Sequence, residues 1–199
     1  MRITKRLLAF ALSMCILLTV GFSAMAVTFT DVPDTNPYKD AITSLTSLEL
    51  LKGYTDGTFG PDKTITRAEF AAVITRAMGL EEVATNASSR AVFNDMVNAA
   101  GGEHWGSGYV RVAYDLNIVS GYGDGTFGPD NEVTYEQLVK MIVCTLGYGD
   151  VADAKGGWPQ GYLIQGVELC VTKGAVMSVT NQSASRGIVA KLLHNSLEI

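Results

Sequence analysis

Apolar residues along most of the chain recur at helical spacing, and loops rich in glycine, aspartate and proline separate these stretches. Ala41, Ile42, Leu45 and Leu48 fall on one face of a predicted helix. A second stripe, at spacings of three and four, consists of Phe70, Val73, Ile74, Ala77 and Met78. Each stripe predicts an amphipathic helix with one buried face. The second helix has two further counterparts, with apolar faces Leu138, Met141, Ile142, Leu146 and Val189, Leu192, Leu193, Leu197.

Polar residues mark where the second helix of each pair begins. Thr66 followed three residues later by Glu69 is typical of a capping box, and Thr134 with Gln137 repeats it. Ser185 stands at the corresponding place in the third pair, where Ile188 cannot complete the box. We therefore expect three equivalent helices with similar starts, packed about a shared axis.

The loops show that these pairs are internal repeats. Residues 53–62 read GYTDGTFGPD and residues 121–130 read GYGDGTFGPD, an offset of 68. A third, eroded copy lies 53 residues beyond the second, matching Trp158 to Trp105 and Leu169 to Leu116. Units this small cannot bury a core alone, so they must pack on one another. The sequence predicts an all-α fold with repeats at 27–85, 86–148 and 149–199, the last divergent.

The first 26 residues are predicted to be a signal peptide. Three basic residues precede an apolar run over 7–20, and Ala24-Met25-Ala26 supplies the small residues of a cleavage site before Val27. The alternative is an uncleaved membrane anchor, but a bilayer needs about 20 apolar residues. No later segment has that character. We therefore expect a secreted protein with no stable membrane span after cleavage.

Charge and composition exclude several function classes. The 199 residues include 15 basic and 20 acidic side chains, and loss of the leader leaves 12 against 20, a net charge of −8. This balance argues against nucleic-acid binding, which needs broad positive surface. Two His and three Cys give no metal-binding spacing. Cys144 and Cys170 could pair outside the cell, although buried or idle thiols are the simpler expectation.

Three segments of the first copy together resemble the S-layer homology (SLH) domain, whose pattern runs F-x-D-V, HW, GYxDGTF and TRAE. They are FTDVP at 29–33, GYTDGTF at 53–59 and ITRAEF at 65–70. The resemblance covers residues 27–199 and implies a secreted bacterial anchoring module, with three repeats forming a three-pronged helical spindle of pseudo-threefold symmetry. Such modules bind the cell wall non-covalently, commonly through a secondary wall polysaccharide that carries pyruvate ketals.

The copies depart from the family pattern in different ways. HW is Asn36-Pro37, His104-Trp105 and Gly157-Trp158 in turn, and TRAE is intact only at 66–69. The other two copies have TYEQ at 134–137 and SRGI at 185–188, and the third has KGAV at 173–176 in place of the GYxDGTF loop. The three grooves between prongs are therefore not expected to bind equally.

Arg67 and Arg186 are the main candidate ligand-binding residues. Each follows a helix cap, where a cation opposes the macrodipole at a cost of about 0.3–1 kcal/mol. An anion approaching the free N–H groups of the first turn would make such a cation useful, with a bidentate contact to a carboxylate. The alternative is an ion pair with an acidic residue of the next prong, such as Asp31 or Asp56. On the ligand hypothesis, Arg67→Ala weakens wall binding and leaves the melting temperature nearly unchanged. In the second copy the residue after the cap is Tyr135, which suits packing or sugar stacking.

Aromatic and loop residues complete the candidate site. Trp105 and Trp158 could stack on a pyranose ring or belong to the core, and His104 could donate to a sugar or act as a polar tether. The resemblance adds residues of the F-x-D-V and GYxDGTF segments to the ligand-binding set: Asp31, Gly53, Tyr54, Gly121 and Tyr122.

We expect no catalysis, cofactor or metal. A calcium loop of EF-hand type fails because Gly60 or Gly128 occupies a ligand position, so Asp56 and Asp124 are expected to make turn hydrogen bonds. A glycosidase would need two carboxylates facing across a cleft, whereas the acids here belong to turns and caps. The expected partner is a cell-wall polysaccharide or peptidoglycan at the bacterial surface. The alternatives are an S-layer subunit fragment or a tether between peptidoglycan and outer membrane, and the oligomeric state stays open.

Overall fold

The computed structural model describes residues 28–87, 92–98, 100–175 and 181–199, so the predicted signal peptide lies outside the described residues. These ranges contain eight helices and isolated bridges but no sheet, which confirms the all-α prediction. The helices are α1 Lys39–Ser47, α2 Arg67–Ala77, α3 Glu81–Asn86, α4 Ser107–Asp115, α5 Tyr135–Thr145, α6 Gly149–Ala154, α7 Gln160–Glu168 and α8 Arg186–Ser196.

The predicted caps begin the three longest helices. Thr66 Oγ1 accepts from the Glu69 amide at 3.2 Å while Glu69 Oε2 accepts from the Thr66 amide at 2.8 Å. Thr134 and Gln137 form the same box at the start of α5. Ser185 caps α8 through the Ile188 amide alone, because isoleucine has no acceptor to return. Reciprocal caps satisfy two of the amides that a helix start leaves free.

Each prong combines helices from two neighbouring copies. The second helix of one copy packs on the first helix of the next, as α2 on α4 and α5 on α7. The last helix, α8, packs on the first, α1, and so closes the set. The short helices α3 and α6 pack against α4 and α7. No copy therefore buries its own apolar faces, which is why the copies fold together.

Short extended segments join the copies around the axis. Isolated antiparallel bridges pair Thr64 with Ser185, Thr66 with Glu132 and Thr134 with Ser183. The Val133 amide donates to Ile65 O and the Ala184 amide to Val133 O, both at 2.9 Å. Each segment directly precedes a long helix, so the bridges fix the relative positions of the three helix starts. The repeat boundaries themselves stay a prediction.

Most predicted core positions are buried, with exceptions at helix ends. Phe70, Ile74, Leu138 and Ile142 are at most 1% exposed. Leu48 is 56% exposed, because α1 ends at Ser47 and the chain turns away at Glu49, which has a positive φ of 58°. The prediction of a buried Leu48 is therefore wrong, and Met78, Leu146 and Leu197, which follow the last turns of their helices, also lie outside the buried set.

Carboxylates hold the glycine-rich loops by accepting backbone hydrogen bonds. Asp31 accepts from the amides of Phe59 at 2.8 Å and Gly60 at 2.7 Å. Asp56 accepts from the amide and the hydroxyl of Thr58, and Asp124 does the same for Thr126, as expected for turn-making residues. The loops are therefore closed structures whose acids are already engaged.

Two helical glycines allow close helix crossings. A Cβ placed on Gly108 of α4 would lie 2.0 Å from Ala84 O of α3, and one on Gly161 of α7 would lie 1.9 Å from Ala152 O of α6. Backbone atoms cannot move aside as side chains can. Glycine at both places thus sets how closely each short helix approaches its prong.

Gly108→Ala is expected to lower the free energy of unfolding by about 1–3 kcal/mol, because overpacking outweighs the gain in helix propensity. The matched control is Gly149→Ala at the start of α6, where a Cβ would meet only Cys144 Sγ at 3.5 Å. Its change should stay within about 1 kcal/mol. Urea unfolding of both variants measures the difference, and equal values would contradict the close crossing.

Acid should destabilise the protein through Asp31. Partial burial would raise the pKa of Asp31, but the amides of Phe59 and Gly60 outweigh it and hold that pKa below its ordinary 3.8. A lowered folded-state pKa gives stability that is present above about pH 4 and is lost as the pH falls through the folded value. In urea unfolding, Asp31→Asn should therefore cost stability at pH 7 and less at pH 3. A cost independent of pH would exclude this origin.

Candidate functional site

The guanidinium of Arg67 lies between two copies. Arg67 is 5% exposed, and its Nε donates to Phe127 O at 2.8 Å while its Nη2 donates to Ser120 O at 3.3 Å. The carbon at its centre lies 4.8 Å from the ring centroid of Tyr122 and 4.3 Å from that of Phe127. Arg67 begins α2 in the first copy, whereas all these partners belong to the loop of the second copy. The arginine therefore joins neighbouring copies.

Arg186 repeats this arrangement between the third copy and the first. Its Nε donates to Phe59 O at 2.9 Å and its Nη2 to Lys52 O at 2.6 Å. The ring centroids of Tyr54 and Phe59 lie 5.1 and 4.5 Å from the guanidinium carbon. Arg186 is also buried. Because Arg186 and its partners are separated by more than 120 residues, this contact closes the ring of copies.

The helix-start argument from sequence was wrong about the amides. The Arg67 and Ala68 amides donate to Asn131 O and Pro129 O at 2.9 and 3.0 Å. The Arg186 and Gly187 amides donate in the same way to Lys63 O and Pro61 O. These first-turn groups are occupied by the next copy, so an anion cannot bind them.

The ion-pair alternative is also wrong within the described residues. Neither arginine has a carboxylate oxygen within 4.0 Å there, and Asp31 and Asp56 accept from loop amides and a hydroxyl instead. Burial lowers the pKa of Arg67 from its ordinary value, against smaller opposing effects of Tyr122 and Asp95. Carbonyls and ring faces thus hold a desolvated cation that has no carboxylate partner in the described part of the chain, and such a cation attracts an anion.

A groove of about 410 Å³ opens beside Arg67. Four of the residues predicted from sequence line it: Arg67, Gly121, Tyr122 and Trp158. Trp158 comes from the third copy and is 50% exposed. The structure therefore brings these predicted residues from three different copies into one place. Their role in binding stays a proposal.

The groove also contains residues that sequence reasoning missed: Ile118, Val119, Ser120, Gln137, Lys140, Met141 and Asn181. Lys140 matters most for charge. Its Nζ lies 3.1 Å from Ser120 Oγ and 5.5 Å from the ring centroid of Trp158. The repeat offset pairs Lys140 with Ala72, which is 1% exposed. This replacement of an alanine by a lysine between copies is the sequence signal that could have indicated Lys140 as a site residue.

The other predicted residues lie elsewhere or serve the fold. Tyr54 stacks on Arg186, and Gly53 is needed because a Cβ there would lie 2.2 Å from the Phe29 ring. Glycine is required at position 121 for the same reason, since a Cβ there would lie 2.5 Å from the Phe93 ring. Asp31 is engaged by two amides. None of Asp31, Gly53 or Tyr54 lines the Arg67 groove.

His104 and Trp105 form a separate pair on the second copy. His104 is buried, with Nδ1 accepting from the Gly106 amide at 3.0 Å and Nε2 lying 3.2 Å from Asp130 Oδ1. Of the two alternatives for His104, donation to a sugar or a polar tether within the fold, these contacts favour the tether. Trp105 is 56% exposed and lies outside the Arg67 groove.

The long helix of the second copy, α5, begins with Tyr135 where the other two long helices begin with arginine. Tyr135 follows the Thr134 cap, is buried, and donates its amide to Gln182 O at 3.0 Å, so it is a packing residue. The loop that corresponds to GYxDGTF includes residues 176–180, which lie outside the described residues. Cys144 and Cys170 are not joined in a disulfide; Cys144 is half-buried and Cys170 exposed.

An all-helical module of interlocked copies with a cationic, aromatic groove between them is the class that this geometry defines. Residues 28–71 and 101–139 match the model of the S-layer homology domain. The chain belongs to this family. The matched segments lie in the first two copies, in keeping with the divergence of the third.

Similar proteins come from bacterial surfaces. The chain is 35% identical to the middle cell wall protein of Brevibacillus brevis, and 36% identical to a surface layer protein of Brevibacillus choshinensis, over all of its own length and 18% and 17% of theirs. It is 30% identical to the cellulosome-anchoring protein of Acetivibrio thermocellus over 74% of this chain and 35% of that protein. The chain thus spans a small part of these relatives.

Family and relatives place the chain at the bacterial cell surface, as predicted. Among the described residues, each helix falls short of the length and apolar character that crossing a membrane requires.

The contacts of Arg67 change the expectation for its removal. Arg67→Ala should lower the free energy of unfolding by about 2–4 kcal/mol, because it strips charged hydrogen bonds from two carbonyls and leaves a buried gap. The matched control is Arg76→Ala in the same helix, whose partly exposed ion pair with Glu81 should contribute about 1 kcal/mol or less. Urea unfolding compares them. Equal losses would refute a bridging role for Arg67.

Proposed function

We propose that the chain anchors protein to the bacterial cell wall by binding a wall polysaccharide, without catalysis, in the groove beside Arg67. The main support for this proposal is that Arg67, Lys140, Tyr122 and Trp158, from three different copies, line the same groove. Two cations beside two exposed ring faces suit a sugar that carries a negative charge.

The groove chemistry supports a pyruvylated polysaccharide in particular. A pyruvate ketal bridges two oxygens of one sugar and carries a carboxylate on its ketal carbon, so one ligand residue presents both an anion and an apolar C–H face. The carboxylate would pair with Lys140 and with Arg67 where it lines the groove, and the C–H face would stack on Trp158. The Ser120 hydroxyl, which already accepts from Lys140, holds the ammonium in place beside the indole ring.

Recognition on this proposal is local. Without the predicted leader the chain would carry a net charge of −8, which repels a polyanionic wall polymer at long range. Salt near 0.15 M screens that repulsion beyond about 8 Å. Attraction therefore depends on the two groove cations, and the buried Arg67 in particular is stabilised by an anionic partner.

The relatives support an anchoring role because their names describe very different whole proteins. They include an endoglucanase of a Bacillus species and an amylopullulanase of Thermoanaerobacterium thermosulfurigenes, in which the chain spans 12% and 10% of the length. A segment shared by enzymes and surface layer proteins suits a common attachment function. The names of the surface layer relatives equally favour a second candidate, an S-layer subunit held by the same groove.

Direct binding to peptidoglycan is the competing form of this proposal. Purified wall sacculi, before and after hydrofluoric-acid removal of the secondary polysaccharide, separate the two. Loss of binding after the polysaccharide is removed would support the polysaccharide as the ligand. Full retention of binding would instead indicate that the protein binds peptidoglycan directly or is an outer-membrane tether.

Lys140→Ala should weaken binding to intact sacculi by about tenfold, since it removes one of two charged contacts. Lys191→Ala is the matched control, because Lys191 occupies on α8 the place that Lys140 occupies on α5. The long helix one copy before Lys191 begins with Tyr135, whereas the one before Lys140 begins with Arg67. Its binding should stay within about twofold of the parent. Sedimentation with sacculi gives both affinities, and unchanged urea unfolding of Lys140→Ala shows that the fold is intact. Equal effects of the two substitutions would count against the Arg67 groove.

A further inference from the structure

A second cavity of about 370 Å³ adjoins the Arg67 groove. The two share Val119, Ser120 and Lys140, and the hydrogen bond from Lys140 Nζ to Ser120 Oγ lies at their common boundary. The remaining lining of this second cavity is Tyr114, Asp115, Asn117, Cys144 and Tyr162. None of these residues belongs to the sequence-predicted site.

The chemistry of the second cavity differs from that of the first. Asp115, the one acid among the described residues of its lining, already accepts from Arg111 at 2.6 Å. The Tyr162 hydroxyl is also engaged, since it donates to Asp153 at 2.8 Å. Burial raises the pKa of the Cys144 thiol, which keeps it neutral. Apart from Lys140 at the boundary, the lining offers an exposed Tyr114 ring and the Asn117 amide rather than free charge.

Asn117 is held in a conformation that directs the chain around the cavity. Its φ is 58°, as are those of Glu49 and Cys170 at the equivalent turns of the other copies. The side-chain amide of Asn117 makes no hydrogen bond within the described part of the chain. An amide offers both donors and an acceptor, which suits the hydroxyls of a sugar.

We propose that this cavity is a second subsite that binds an uncharged sugar residue next to the charged one in the same polysaccharide chain. The proposal rests on the proposed function, because a sugar bound beside Trp158 has covalent neighbours that must leave the groove. The shared wall at Lys140 makes the second cavity the adjoining path. Lys140 then contacts both residues, and Asn117 contacts only the second.

The test uses wall polysaccharide released from purified walls and separated by size into single repeating units and fragments of several units. Calorimetry with the parent protein should show tighter binding of the longer fragments. Asn117→Gly keeps the backbone conformation and removes the amide, so it should weaken long fragments about fivefold and single units less than twofold, in line with one lost hydrogen bond. Cys170→Gly, the same change at an equivalent turn outside both cavities, should alter neither.

Alkylation of Cys144 gives an independent measure. In the Cys170→Gly protein produced without the predicted leader, which contains Cys15, iodoacetamide at alkaline pH would alkylate Cys144 and so add bulk to the second cavity only. Long fragments should then bind no better than single units, and single-unit binding should persist.

The outcomes separate the two proposals. If long fragments bind the Asn117→Gly protein and the alkylated protein as tightly as the parent, while Trp158→Ala abolishes binding, the second subsite is refuted and the proposed function stands. If Asn117→Gly weakens all sizes equally, the residue acts through the fold and the subsite is also refuted. If no fragment binds the parent protein, the proposed function fails and the subsite fails with it.

Discussion

The structure depends on hydrogen bonds from the start of one copy's long helix to the loop of the next. Backbone amides and a guanidinium in the first turn of α2 donate to carbonyls between Ser120 and Asn131, and α8 does the same to the first copy. A helix start leaves amides without partners, and here another copy supplies them. The copies are consequently interdependent, and the last must meet the first for the set to close.

The candidate site follows from the same contacts. The loop whose carbonyls hold Arg67 also places Tyr122 against its guanidinium, and α5 packs on α7, the helix that follows Trp158 in the same groove. Arg67 therefore has a structural role and a proposed binding role together. Neutral carbonyls hold the guanidinium of Arg67 without cancelling its charge, as a salt bridge would have done, and Arg67 lines the groove.

The departures between copies separate the grooves chemically. The offset pairs Lys140 with Ala72 and Gln137 with Glu69, so the helix wall beside Arg67 carries a cation where the corresponding wall of α2 carries none and has an acid instead. The third position has Tyr135 in place of arginine. These differences support the proposal that an anionic ligand binds in the Arg67 groove.

The sequence by itself determined the helices, their caps and the repeats, because apolar spacing and capping residues act within a few positions of one another. Thr66, Thr134 and Ser185 were each predicted as caps from local pattern alone. Only the tertiary structure decided what Arg67 and Arg186 contact, since their partners lie 53 to 134 residues away in the chain. It also decided that Trp158 and Lys140 share a groove with Arg67 while Trp105 does not, and that Leu48 is exposed. These outcomes depend on which copy packs against which, and no spacing within a single copy encodes that choice.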